Sequence, residues 1–191
     1  PYIGLARGTP GQMTYPLESH VVPVGQDGTW DKYVETPTDQ RNPDSTLTMW
    51  YMGYTTFGGF FDSALGQMVS TDTIGENWIR PAAPIYRPSQ GAWDSLFVAG
   101  PTVAKGPDGT WYLYYTGAGF IGVEGVGLLT STDGTHWTPH GNGPVLSARP
   151  GAWDSEILEQ CVIYFRGQFW MWYSAYRGDR KSTRLNSSHG I

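Results

Sequence analysis

The chain has 191 residues, of which 39% are hydrophobic and 15% aromatic, enough for a packed core in one domain-sized unit. Its formal net charge of −5 gives no general attraction for nucleic acid or anionic lipid, and a single cysteine excludes an intramolecular disulfide. No apolar run approaches the roughly 18 residues of a membrane span, so we expect neither nucleic acid nor a membrane as a partner. The 26 Gly, 14 Pro, 9 Trp and 12 Tyr favour many short strands joined by tight turns over helices.

A Gly-x-Trp-Asp motif recurs at Trp30-Asp31, Trp93-Asp94 and Trp153-Asp154. The spacings between its tryptophans are 93 − 30 = 63 and 153 − 93 = 60 residues. A period of this size predicts a repeat architecture. It divides the chain into units of about 1–29, 30–90, 91–150 and 151–178.

The first two units show the repeat in partial and in full form. The unit 1–29 is predicted to be the end of a repeat, because residues 3–6 (Ile-Gly-Leu-Ala) resemble residues 126–129 (Val-Gly-Leu-Leu). In the unit 30–90, strands predicted at 48–53 and 66–70 flank a loop rich in glycine and phenylalanine. A Ser-x-Asp turn that contains Asp72 follows the second of these strands.

The last two units repeat this order more cleanly. The third has predicted strands at 98–103, 111–116 and 126–131, a Pro107-Asp108-Gly109 hairpin turn and a second Ser-x-Asp turn at Asp133. The fourth begins at Trp153 and contains the run Phe-Trp-Met-Trp-Tyr-Ser at 169–174. About four short strands per unit predict an all-β fold, namely a β-propeller of four-stranded antiparallel blades. About three such units are present in this chain. We therefore expect this chain to be an incomplete fragment of a longer ring.

The last residues, 179–191, resemble the translation of a common sequencing adapter and are predicted to be a non-native tail. The chain begins at Pro1 and not at a methionine, so a signal peptide could have preceded it. Localisation is therefore unknown, with secretion or a periplasmic location both open.

The repeats also indicate where acidic chemistry could lie. When the units are aligned on Trp-Asp, with one gap in the second, the innermost strands begin Glu35-Thr36-Pro37, Ala99-Gly100-Pro101 and Glu159-Gln160-Cys161. Glu, Ala and Glu occupy the first position, so folding alone does not demand glutamate there. Two carboxylates at the mouth of a propeller could form an acid and base pair.

Other candidates have competing structural interpretations. Asp94 and Asp154 are candidate catalytic residues, but an aspartate that occurs once in every unit is also explained by turn formation. Aromatic residues near the same end are candidate sugar platforms or packing residues: Trp93, Trp153, Phe57, Phe60 and Phe120. The histidines show no metal-ligand spacing, and Cys161 has no histidine nearby in the sequence. We expect no metal site and no cofactor.

The chain resembles the five-bladed propeller glycosidases, a superfamily that includes arabinanases, xylosidases, invertases and levansucrases. The motifs that carry the resemblance are Trp111-Tyr112-Leu113-Tyr114-Tyr115-Thr116-Gly117, Gly127-Leu128 with Ser131-Thr132-Asp133-Gly134, Pro144-Val145-Leu146, and the repeated Gly-x-Trp-Asp. The resemblance implies five blades in the full protein. It also implies hydrolysis or transfer of glycosidic bonds in a poly- or oligosaccharide substrate.

In the arabinanase-like families the general acid is a Glu followed by Gly-Pro, and Glu159 falls at the matching position. The base or nucleophile is an Asp before Pro on an earlier blade, for which Glu35 is the nearest match. Gln160-Cys161 stands where those families have Gly-Pro, and Glu stands where they have Asp.

Two alternatives stay open. A non-catalytic carbohydrate-binding propeller would keep the aromatic loops without a working carboxylate pair. A glycoside phosphorylase on the same scaffold would need cationic side chains to hold phosphate, for which Arg80, Arg87 and Arg149 are available. The sequence leaves the oligomeric state unknown.

Overall fold

The computed structural model describes residues 2–14, 20–57, 60–120 and 124–177, and the strands found there are all paired antiparallel. The strands are, in chain order, β1 (Arg7–Thr9), β2 (Gln12–Thr14), β3 (Tyr33–Arg41), β4 (Leu47–Tyr54), β5 (Ala64–Ser70), β6 (Trp78–Ile79), β7 (Phe97–Lys105), β8 (Trp111–Ala118), β9 (Glu124–Ser131), β10 (Thr138–Pro139), β11 (Leu146–Ser147), β12 (Glu156–Phe165) and β13 (Gln168–Tyr176). A 3₁₀ turn at Phe60–Asp62 precedes β5, and the described residues contain no α-helix. The all-β prediction is confirmed.

The strands form sheets that follow the repeat. β3, β4, β5 and β6 pair in chain order as a four-stranded sheet. β7, β8, β9 and β10 do the same, and β11 adds to the far end of β9. β12 and β13 form a hairpin, as do β1 and β2. Four-stranded antiparallel sheets met in chain order are the blades of a β-propeller. The exact division into units at 1–29, 30–90, 91–150 and 151–178 stays a prediction, and the predicted tail lies outside the described residues.

The predicted turns are present and are held by aspartate side chains. Asp72 accepts hydrogen bonds from the N–H groups of residues 74–77 at 2.6 to 3.2 Å. Asp133 accepts from the N–H groups of Thr135 and His136, both at 2.8 Å. In the hairpin between β7 and β8, Asp108 accepts from Thr110 N–H and Gly109 has a φ of 84°. These contacts confirm the structural interpretation of the Ser-x-Asp and Pro-Asp-Gly motifs.

The apolar cores lie between sheets. The first cluster joins the N-terminal segment to the β3–β6 sheet, and its members are Ile3, Val22, Val34, Met49, Tyr51 and Met68. The second lies between the β3–β6 and β7–β10 sheets, and its members are Trp50, Leu65, Val98, Leu113, Tyr115 and Leu129. The third joins β12 and β13 to the β7–β10 sheet, and its members are Ala104, Tyr114, Val126, Leu128, Ile157 and Val162. Neighbouring residues such as Trp50 and Tyr51 therefore face different interfaces, as alternation in a strand requires.

One tyrosine on the second strand of each four-stranded sheet lies flat over a glycine of the third strand. Tyr51 pairs with Gly66 and Tyr115 pairs with Gly127 in the backbone register. A Cβ added to Gly66 would come within 2.3 Å of the Tyr51 ring, and one added to Gly127 within 2.2 Å of the Tyr115 ring. The glycines are therefore required by the close approach of the rings, which fixes the direction of both phenols.

Candidate functional site

The innermost strands β3, β7 and β12 each contain a β-bulge near their start. The register shifts between Glu35 and Thr38 in β3 and between Ala99 and Thr102 in β7. It shifts between residues 157 and 160 in β12. Bulges often redirect side chains beside active sites. Thr36 has a φ of 51°, a left-handed conformation that is unusual for a β-branched residue and marks local strain.

The backbone register corrects the predicted equivalence of Glu35, Ala99 and Glu159. Val34 pairs with Gly53, Val98 with Gly117 and Ile157 with Ala175. All three apolar residues are buried, and each partner lies two residues after the repeated tyrosine of its strand. The residues that follow them are Glu35, Ala99 and Leu158.

Glu159 is therefore one residue further along its bulge, at the place of Thr36 and Gly100. The predicted Glu-Ala-Glu pattern is wrong by one position in the last unit. The proposed match of Glu159 to the Glu before Gly-Pro shifts with it, since Leu158 takes that place. The repeat therefore gives no support for a catalytic role of Glu159, and only its surroundings can indicate one.

A pocket of about 540 Å³ nevertheless brings Glu35 and Glu159 together. They come from β3 and β12, which lie on either side of β7, and the small residues Ala99 and Gly100 of β7 line the pocket between them. The remaining lining residues are mostly apolar: Thr36, Met52, Phe61, Leu96, Phe97, Thr116 and Leu158. Among the described lining residues, Glu35 and Glu159 are the only charged ones. An apolar cleft with few polar groups is typical of a small-molecule site.

The carboxyl group of Glu35 is held by a tyrosine of the neighbouring strand. Tyr54 Oη donates to Glu35 Oε1 at 2.6 Å. Burial and the nearby Glu35 carboxyl raise the pKa of Tyr54, so the phenol stays protonated and acts as the donor. Glu35 is half-buried, whereas Glu159 is exposed at the pocket rim. The two glutamates therefore differ in their contact with water.

Gln160 fixes the bulge that carries Glu159. Its side chain is 8% exposed, and its Nε2 donates to Gly100 O and, at 3.2 Å, to Tyr114 O. Its Oε1 accepts from Thr116 Oγ1 at 2.8 Å, and the same hydroxyl oxygen lies against Leu158 O. A buried amide that ties β12 to β7 and β8 holds one wall of the pocket in place.

The predicted aromatic platforms are not all at this pocket. Phe57 and Phe120 are 70% and 77% exposed, but neither lines it. The Phe60 side chain falls outside the part of the chain that the structure describes. Phe61, which is not among the predicted platforms, is 70% exposed and does line the pocket. A large exposed aromatic beside two carboxylates is a suitable surface for the apolar face of a sugar ring.

The three Trp-Asp pairs, here named the Trp-Asp corners, form a repeated structural unit. Asp31 and Asp154 are 2% exposed and Asp94 is 0% exposed. The tyrosine of the second strand donates to each aspartate: Tyr51 to Asp31 at 2.8 Å, Tyr115 to Asp94 at 2.8 Å, and Tyr173 to Asp154 at 3.1 Å. The tryptophan stacks on the same tyrosine, with ring centroids 5.8 to 6.1 Å apart.

These contacts favour the structural interpretation of Asp94 and Asp154 over a catalytic one. Trp93 is half-buried against Tyr115, whereas Trp153 is 58% exposed although it stacks on Tyr173. The hydrogen bond from Arg149 lowers the pKa of Asp154, which keeps that carboxyl group ionised. A side chain held in this way as an anion cannot serve as a proton donor near neutral pH.

No group of three or more His, Cys, Asp or Glu side chains within the described ranges is arranged to hold a metal ion. The same part of the chain contains no helix of the length and hydrophobicity needed to cross a membrane.

No protein-family model and no curated protein matches the chain, but many solved structures share its fold. One is a protein from the GH130 family of mannoside phosphorylases, described as containing glycoside hydrolases that target β-1,2-mannosidic linkages in Candida mannan. It has 19% identity and a TM-score of 0.66 over 90% of this chain and 50% of its own. A glycosyl hydrolase from Bacteroides ovatus has 20% identity and a TM-score of 0.63 over 90% of this chain and 51% of its own.

The third similar structure is an N-acetylgalactosamine deacetylase from F. plautii in complex with blood group B trisaccharide. It has 21% identity and a TM-score of 0.61 over 85% of this chain and 43% of its own. The chain spans about half the length of these solved structures or less. At this level of identity the likeness shows a shared fold, and the chemistry must be argued from the site.

Proposed function

We propose that the whole protein is a glycoside hydrolase, or a transglycosidase, that acts on a poly- or oligosaccharide through Glu159 and Glu35. The observation that carries the proposal is the single pocket between β3 and β12 that both carboxylates line. The glycoside-hydrolase descriptions of two structures with the same fold support it. We also propose that the ring of the whole protein has five blades.

The two carboxylates are suited to different roles. Glu159 is proposed as the general acid that protonates the leaving oxygen of the glycosidic bond. Glu35 is proposed as the general base that activates water or as the nucleophile that forms a glycosyl intermediate. Tyr54 orients Glu35 through its hydrogen bond, and a carboxylate held in one position is what general base or nucleophilic catalysis requires. Phe61 offers an apolar surface for the ring of the bound sugar.

The arginines named for a phosphorylase are engaged elsewhere. Arg80 contacts Asp31, Arg149 contacts Asp154, and Arg87 donates to the carbonyl oxygen of Asp62. None of the three lines the pocket of Glu35 and Glu159. Within the described residues, hydrolysis is therefore better supported than phosphorolysis, which needs cations on the phosphate.

The test is the turnover of Glu159→Gln and Glu35→Gln in the whole protein, on an oligosaccharide or aryl glycoside that the wild type cleaves. Loss of a general acid or base is expected to lower kcat by about 10²-fold or more. Glu156→Gln is the matched control, because Glu156 is an exposed glutamate on the same strand as Glu159 that does not line the pocket. Its turnover should equal that of the wild type.

Three outcomes separate the alternatives. Wild-type turnover in Glu159→Gln would refute its assignment as the acid. Oligosaccharide binding without release of new reducing ends, measured by calorimetry and a reducing-sugar assay, would identify a binding propeller. A strict requirement for phosphate, with a sugar phosphate as product, would identify a phosphorylase.

A further inference from the structure

The Trp-Asp corner of the β7–β10 sheet differs from the other two in how its carboxylate is neutralised. Arg80 Nη1 lies 3.0 Å from Asp31 Oδ2. Arg149 Nε lies 2.9 and 2.8 Å from the two carboxylate oxygens of Asp154. Asp94 is the most deeply buried of the three aspartates, and within the described ranges it forms no ion pair. A buried carboxylate without a cation is costly, so this corner requires an explanation.

Small residues replace both arginines in this sheet. Ile79 pairs with Val69, one residue before Ser70, and is followed by Arg80. At the same register Thr138 pairs with Thr130, one residue before Ser131, and is followed by Pro139. The position of Arg80 is therefore taken by Pro139.

The position of Arg149 is taken by Ser89. Arg149 precedes Asp154 by five residues, and Ser89 precedes Asp94 by five. The local turns agree, since Ala152 N–H donates to Arg149 O and Ala92 N–H donates to Ser89 O, both at 3.0 Å. The corner of Asp94 therefore has no arginine at either of the two positions from which Arg80 contacts Asp31 and Arg149 contacts Asp154.

A pocket of about 510 Å³ occupies the space that these replacements leave. Ser89, Pro139 and Asp94 all line it, together with His140 and Asn142. Neither Glu35 nor Glu159 lines it, so it is separate from the proposed catalytic pocket. Its volume is within the range of small-ligand sites.

The Asp94 carboxylate has one satisfied and one unsatisfied oxygen. Tyr86 and Tyr115 both donate to Oδ2 at 2.8 Å. Oδ1 is buried and has no hydrogen-bond partner among the described residues. Burial and the nearby Asp94 raise the pKa of Tyr86 to about 12, so this phenol is a neutral donor and brings no positive charge. The corner therefore still lacks the cationic donor that an arginine gives to the other two.

We propose that the pocket beside Asp94 binds a small organic cation whose guanidinium or primary ammonium group donates to Asp94 Oδ1, in the place of the missing arginine. Arg87 also lines the pocket, with its guanidinium donating to Asp62 O at 2.8 Å. With His140 and Asn142, it offers partners for hydroxyl groups on the remainder of the ligand. A hydroxylated amine, such as an amino sugar, fits this distribution of charge better than a bare metal ion, because no other acidic group lines the pocket.

The experiment measures the binding of methylguanidinium and of glucosamine by calorimetry and by the shift in Tm. Their neutral counterparts, N-methylurea and glucose, are the controls. Because the hydrogen bond to Asp94 is charge-assisted, each cation that binds should have an affinity about tenfold higher than that of its neutral counterpart. Binding of methylguanidinium alone would define a guanidinium site, and binding of glucosamine as well would define an amino-sugar site.

Two variants test whether Asp94 is responsible. Asp94→Asn should lose the preference for the cation. Ser89→Arg should place a guanidinium as Arg149 does beside Asp154, raise the Tm and abolish cation binding. Because Ser89→Arg is expected to stabilise the fold, it remains informative if Asp94→Asn does not fold.

The proposal is overturned if the cations and their neutral counterparts bind equally, or if Ser89→Arg binds the cations as well as the wild type does. It is also overturned if Arg87→Ala lowers the Tm as much as Arg149→Ala does and creates cation binding that the wild type lacks. That result would show that Arg87 already neutralises Asp94.

Discussion

The Trp-Asp corners and the bulges that follow them hold their acidic side chains in different ways. At the corners, each aspartate is almost fully buried and accepts a hydrogen bond from a tyrosine of its own sheet. At the bulges, Glu35 is half-buried and Glu159 is exposed, and both line an open pocket. The corners repeat in each of the three units, whereas the residues at the bulges change. This difference favours a structural role for the repeated tyrosine–aspartate contacts of the corners, and it agrees with the catalytic role proposed for the glutamates of the bulges.

The largest expected effect on stability is at the first corner. Asp31→Ala removes the acceptor of Tyr51 and the anionic partner of Arg80, which keeps only its hydrogen bonds to the backbone carbonyl oxygens of residue 31 and Pro23. Breaking a buried, charge-assisted network in this way is expected to lower the free energy of unfolding by about 3 kcal/mol, measured by urea denaturation. Asp39→Ala, at an exposed position on the same β3 strand, should change it by less than about 0.5 kcal/mol. Equal effects of the two substitutions would break the comparison.

A smaller effect distinguishes one corner from another. Tyr115→Phe removes one of the two donors to Asp94, which has no arginine, whereas Tyr51→Phe leaves Arg80 on Asp31. We expect a loss of about 2 kcal/mol for Tyr115→Phe and about 1 kcal/mol for Tyr51→Phe. Parallel urea unfolding curves measure the difference. A larger loss for Tyr51→Phe would mean that the phenols, and not the cations, dominate the stability of these corners.

The smallest effect concerns the repeated turn at Asp72. Burial alone would raise the pKa of Asp72, but hydrogen bonds from Asn77 and from the N–H groups of residues 74–76 lower it to about 2. Since the unfolded value is 3.8, the folded state favours the anion. The stabilising contribution is complete above about pH 4 and is lost as the pH falls toward 2.

The measurement for this turn compares the wild type with Asp72→Asn across that range of pH. We expect the wild type to have the higher Tm near neutral pH. The difference should shrink between about pH 4 and pH 2. A difference that stays constant with pH would show that the turn depends on shape and not on the charge of the carboxylate.

The sequence was sufficient for the parts of the fold that repeat. The Trp-Asp spacing predicted the succession of sheets, and the aromatic runs predicted β4, β8 and β13, because strand composition and turn residues are local signals. The Ser-x-Asp turns were predicted for the same reason. The strands and turns depend on residues that are close together in the sequence, and the succession of sheets follows from the repeat of the Trp-Asp motif.

The site was predicted less well because it depends on register and on distant contacts. The segment from Asp154 to Ile157 is one residue shorter than the segment from Asp94 to Val98, so an alignment on Trp-Asp without a gap in the last unit places Glu159 one residue out of register. In the sequence, Gln160 is only a departure from the Gly-Pro of the arabinanase-like motif, whereas in the structure it forms hydrogen bonds to Gly100 and Tyr114. The lack of an ion pair at Asp94 among the described residues could not be predicted, because it depends on Ser89 and Pro139 occupying positions that hold arginines in other units.

The placement of the apolar clusters between sheets has a consequence for how the molecule comes apart. Trp50 and Tyr51 of β4 belong to the apolar clusters of two different interfaces. Separating two neighbouring sheets exposes the cluster between them, and with it buried residues of both sheets. The β7–β10 sheet contributes to two such interfaces, with Val98 and Leu113 on one side and Ala104 and Val126 on the other. The stability of this sheet therefore depends on its packing against each neighbouring sheet, as in other repeat architectures. A defect on one face of this sheet is shared with the adjacent blade.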